Sequence, residues 1–82
     1  MIFLIEYDRP SGTLVSMQSF TLARRDQAEE RRLSAEMDAL HRGISREIVL
    51  IDARNEAELR KTHRRYFESP GQLANPATVD AS

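Results

Sequence analysis

The side chains with the most chemistry to offer are basic and lie late in the chain. Arg60, Lys61, Arg64 and Arg65 follow one another at offsets of one, four and five, so a helix would carry them on one flank with His63 beside them. Such a flank can pair with phosphates, and the affinity gained that way falls with salt. Glu56 stands four residues before Arg60 and Glu58 three before Lys61, spacings at which helical side chains neutralise each other. The helix dipole also favours basic residues near a C-terminus without any ligand. A solvated, self-neutralised face therefore comes first, and a nucleic-acid or anion site second.

Carboxylates offer a different chemistry. Glu6, Asp8 and Asp52 lie at or near the ends of apolar runs. Gathered at one sheet edge they could hold a divalent cation or act as acid and base. Strands also end in acidic residues simply because they end in water, and Glu6 could pair with an arginine from a helix. The histidines, His41 and His63, fall on separate helical segments with no His-x-x-x-His between them. Zinc would need carboxylates collected from distant places. His63 shares a face with Leu59 and Tyr66, as a partly buried structural histidine would, and His41 reads as exposed. The chain has no nucleophile elbow, no glycine-rich phosphate loop, three glycines in all and no cysteine. No catalytic, cofactor or metal residue is expected, and the chain reads as non-enzymatic.

Eighty-two residues allow one domain, small enough to be marginal unless stapled or oligomeric. Eleven of the twelve basic residues are arginine and the net charge is −1. That balance draws the chain toward neither nucleic acid nor an anionic membrane. The longest apolar runs fall well short of a membrane span, and Met1–Ile5 lacks the basic lead of a signal peptide. The expectation is a soluble, cytoplasmic protein with no membrane partner.

Residues Ile2 to Tyr7 are apolar on both parities: Ile2 and Leu4 on one, Phe3, Ile5 and Tyr7 on the other. Side chains alternate along a strand, so this one needs cover on both faces and belongs in the middle of a sheet. Asp8-Arg-Pro-Ser-Gly12 is turn chemistry. Thr13–Phe20 reads as a half-polar edge strand returning as a hairpin. Leu22 to Arg42 is rich in helix formers, with an apolar stripe at Leu33, Met37, Leu40 and Ile44 and a stop at Gly43. Ile48 to Ile51 is a second run apolar on both faces. Asn55-Glu-Ala-Glu58 resembles a capping box opening a helix to about Phe67.

The element order is then ββαβα, an α+β domain over residues 1–68 with a disordered, flexible tail over 69–82. The expected sheet is mixed and three-stranded, in the order 2-1-3, with both helices on one face. That leaves an apolar face open, formed by Phe3, Ile5, Tyr7, Val49 and Ile51. An open patch of that kind commonly marks an interface, and the simplest cover is a second copy. The functional expectation is a small interaction or accessory protein that homodimerises through this face. The alternative is a nucleic-acid-binding module using Arg60, Lys61, Arg64 and Arg65.

Overall fold

Asp8 ends the first strand and builds the turn that follows. Its carboxylate accepts from the Ser11 hydroxyl and from the Ser11 amide at 3.2 Å, while Gly12 at a φ of +67° donates its N–H to the Asp8 carbonyl at 2.8 Å. A positive φ costs glycine nothing, so the chain reverses tightly here. The strands on either side are β1 (Ile2–Asp8) and β2 (Thr13–Phe20). A computed structural model describes residues 1–68; the expected tail, 69–82, lies outside the described residues.

After β2 come a 3₁₀ turn over Leu22–Arg24, helix α1 (Arg25–Arg42) and strand β3 (Arg46–Asp52). Helix α2 (Glu56–Thr62) and a 3₁₀ turn over Arg64–Tyr66 complete the described chain. The sheet order is β2-β1-β3, with the strand apolar on both faces at the centre. Both neighbours of β1 run antiparallel to it, so the sheet is antiparallel throughout and not mixed. The cause is the length of α1. Eighteen helical residues rise about 27 Å, enough to carry the chain back along a seven-residue strand, so β3 sets off in the direction of β2.

The two helices serve opposite faces of the sheet, which corrects the expectation that they share one. Ile2, Leu4 and Phe20 pack with Ala28 of α1, flanked by Ile48 and Leu50. Phe3, Ile5 and Tyr7 pack with Leu59 of α2 and with Tyr66, flanked by Val49 and Ile51. With α1 on the Ile2 face, the apolar surface left for α2 is the Phe3 face. Burying it stabilises the fold by roughly 25 cal/mol per Å², a gain unavailable on the side that α1 occupies.

The register of β2 shifts between Glu6 and Tyr7. Glu6 faces Ser16 but Tyr7 faces Leu14, which leaves Val15 as the extra residue of a β-bulge. Strict alternation would put Leu14 beside Ser16 and Gln18. The bulge turns it instead to the Phe3 face, where it joins Met17.

The end of α1 and the start of α2 follow local rules. Gly43 adopts a φ of +67° and returns its N–H to the last turn of α1, and Ile44 donates to the Ala39 carbonyl at 2.9 Å. The Asn55 side chain accepts from the Glu58 amide at 2.8 Å and so caps α2. The helix ends at Thr62, short of Phe67, because the chain tightens into the 3₁₀ turn that lays Tyr66 on the sheet.

Candidate association surface

Five residues were expected to form an open interface, and all five lie on one face, as the alternation demands. That face is already occupied within the chain. Phe3, Ile5 and Tyr7 are buried, with Leu59 and Tyr66 above them, and Val49 and Ile51 are half-buried at the margin. Tyr7 and Tyr66 meet edge to face with ring centroids 5.3 Å apart, a favoured aromatic geometry.

Glu47 closes one end of this face. Its carboxylate accepts from the Tyr66 hydroxyl, from Arg65 Nη2 and, at 3.4 Å, from Arg9 Nε. Arg65 also lies over the Tyr66 ring at 4.3 Å and the Tyr7 ring at 5.6 Å. The Tyr66 hydrogen bond, reinforced by Arg65, holds the Glu47 carboxyl below its ordinary pKa. Burial, with the neighbouring Glu47 charge, pushes the Tyr66 phenol above its own. The cluster keeps Glu47 ionised and Tyr66 protonated, which suits a structural clasp and provides no proton donor or acceptor near neutrality.

The basic flank is largely spent inside the chain. Arg60 Nε bonds Glu56 at 2.8 Å and its guanidinium covers the Phe67 ring at 4.5 Å. Arg64 Nε bonds Glu68 at 2.8 Å, and Arg65 belongs to the Glu47 clasp. The helix also stops before Arg64, so Lys61 and Arg65 share no continuous helical flank. The neutralised reading of these residues fits this geometry better than a phosphate-binding row.

The carboxylates are not brought together. Because β3 is antiparallel to β1, Asp52 stands opposite Ile2 and Asp8 opposite Arg46, at opposite ends of the sheet. Asp8 is used by its own turn, and Arg25 Nη2 bonds both Asp52 oxygens at 3.0 and 3.1 Å. Glu6 pairs with Arg46 Nη1 at 3.1 Å, an arginine of the adjacent strand and not of a helix. His63 is half-buried and stacks near Tyr66, and His41 is exposed with Nδ1 2.9 Å from the Met37 carbonyl. Among the described residues no group of three or more potential metal ligands gathers.

Among the described residues, what remains open is on α1. The helix turns a small face, Ala28, Ala35 and Ala39, toward the sheet. Spacings of seven and four put these three on one line. The larger stripe turns away: Leu33 is 56% exposed, Met37 45% and Leu40 73%. The apolar stripe that stands out in the sequence is therefore not the face that packs on the sheet, and the alanine line is the signal that marks the inward side. On the β2 side, α1 and the sheet enclose a shallow groove of about 530 Å³ between Arg31, Ser34 and Asp38 on the helix and Ser16 and Gln18 on the strand. Among the described residues no helix is long and apolar enough to cross a membrane. Protein-family models, curated proteins and solved structures were all compared with this chain, and none matches.

Proposed function

We propose that this chain is a small, non-enzymatic interaction protein that acts as a homodimer, with the exposed stripe of α1 inside the interface. The observation that carries the reading is the exposure of Leu33, Met37 and Leu40 on a well-formed helix. Their spacing of four and three is the a/d spacing of a helix that packs against another helix. Large apolar side chains grouped on one helix face cost free energy in water, and a second copy is the commonest cover available to a small soluble chain. A protein without cysteine suits a reducing compartment, and the cytoplasm is the proposed location.

Sedimentation at micromolar concentration tests the reading. The expected mass is twice the 9.4 kDa of one chain. Leu40→Glu should shift the chain to monomer while its far-UV spectrum is kept, because Leu40 contributes little to the folded core. A wild-type chain that stays monomeric up to about 100 μM would refute the proposal, since that dissociation constant is weaker than a functional dimer tolerates. The nucleic-acid alternative predicts salt-dependent binding lost in Arg64→Glu, and the ion pairs of Arg60, Arg64 and Arg65 weigh against it.

A further inference from the structure

The second feature with no partner among the described residues is the outer edge of β3. The strand is apolar on both faces, with Ile48 and Leu50 on one and Val49 and Ile51 on the other, yet it lies at the margin of the sheet. All four are only half-buried. An apolar edge of this length is a template for another strand. The backbone groups that face outward can be identified. Met1 and Ala53 exchange both backbone hydrogen bonds, at 2.9 and 3.0 Å. Hydrogen-bonded pairs alternate along an antiparallel ladder, so Val49 and Ile51 bond inward to β1. Arg46, Ile48, Leu50 and Asp52 then direct their N–H and C=O groups to the free side.

We propose that the second copy adds to this edge, β3 beside β3 in antiparallel register about Val49, so that two sheets continue as one of six strands. This rests on the homodimer reading above and specifies its geometry.

Three observations converge on that register. First, centring on Val49 sets Ile48 opposite Leu50 of the second copy, and both have outward-facing backbone groups, so each pair exchanges two bonds. Second, it sets Arg46 opposite Asp52 of the second copy on the same face, twice, by symmetry. Opposite charges directly across a ladder stabilise the pairing and like charges oppose it. Within one chain Arg46 already bonds Glu6 and Asp52 already bonds Arg25, so the pairing would extend these into a network of alternating charge across the edge. Third, the exposed stripe of α1 leans toward this edge. Arg31, Ser34 and Asp38 mark the flank of α1 beside β2, while Arg25, which holds Asp52, marks the flank beside β3. At about 100° per residue, Leu33 and Leu40 fall between the outward face and the β3 flank.

Edge pairing about a twofold axis normal to the sheet keeps both α1 helices on one side. Each packs over β1 and β3. Their axes would lie about two strand spacings apart, ~10 Å, which is the distance at which helices pack. One partner therefore covers both the edge and the Leu33 and Leu40 side of the stripe.

The chain has no cysteine, so a single one reports unambiguously. Val49 meets Val49 of the second copy as a non-hydrogen-bonded pair, whose Cα separation of roughly 4.5 Å admits a disulfide. Val49→Cys under mild oxidation should give a covalent dimer, whereas Ser19→Cys on the outer strand β2 should not. Amide exchange in the wild-type chain supplies a second reading that needs no substitution. The Ile48 and Leu50 amides should exchange at least about tenfold more slowly in the dimer, and the protection should vanish on dilution. A wild-type dimer with those amides unprotected, or cross-linking through Ser19→Cys in place of Val49→Cys, overturns the edge pairing and leaves the dimer reading standing. A wild-type monomer at every concentration overturns both.

Discussion

Glu47 shows how a single carboxylate can hold two distant segments together. It belongs to β3, yet its donors come from the first turn region (Arg9) and from the end of the described chain (Arg65 and Tyr66). Its side chain is 13% exposed, so these bonds work in a partly dry setting where they weigh more than on the surface. Because the folded-state pKa lies below the unfolded one, the stabilisation is fully present above the ordinary carboxylate value and is lost as pH falls through the folded one. Glu47→Gln should therefore lower stability at neutral pH, by about 1–3 kcal/mol. The gap to wild type should narrow as pH is taken below the ordinary carboxylate range. Thermal unfolding of the two chains across pH 7 to about 3 checks this, and a gap that stays constant would refute the assignment. The clasp was not legible in the sequence. Glu47 and Tyr66 are nineteen residues apart with no pattern linking them, and only the placement of the 3₁₀ turn on the Phe3 face brings them together.

At the scale of elements, the strands were read well and the helices less so. Two runs, Ile2–Tyr7 and Ile48–Ile51, are apolar on both parities, and the half-polar Thr13–Phe20 is what marks an edge, so the order 2-1-3 is the preferred one and the sheet has it. Which face a helix takes is not written in that helix. Leu59 and Tyr66 fit the Phe3 face as well as the Ile2 face, and the choice depended on where α1 had already settled. On α1, size is no guide to burial: the large stripe is exposed and the small residues face inward. Alanine lets a helix approach a sheet closely and loses no rotamer freedom in doing so, and the bulkier Leu33, Met37 and Leu40 are left for another surface. Gly43, by contrast, was legible as the stop. Gly43→Ala meets open space, so only the left-handed backbone resists it. The cost should be about 1–2 kcal/mol, read by denaturant unfolding. A neutral substitution would mean that the helix end rearranges at no cost.

At the scale of the whole molecule, the described domain is one thin sheet with a helix serving each face, one strand open at its apolar margin and one helix open along its apolar stripe. A domain this small gains disproportionately from association. If dimerisation is linked to folding, the unfolding midpoint should rise with protein concentration, by about 5 °C across a hundredfold range. A concentration-independent midpoint, with a dimer present, would mean that the protomers fold fully on their own. The chain's high charge content does not argue for a polyanion partner. Much of it is consumed in neighbouring pairs such as Arg32 with Glu29 and Glu36, or Arg54 with Glu58.

The central place of β1 also has a consequence in time. Its first neighbour, β2, is complete by Phe20, but its second does not begin until Arg46. As the chain is synthesised, an apolar hairpin must wait while the whole of α1 emerges. Throughout that interval the unpaired side of β1 offers itself to any strand nearby, including the same hairpin on another nascent chain. The order in which these elements leave the ribosome therefore sets a window of misassembly that the finished fold conceals.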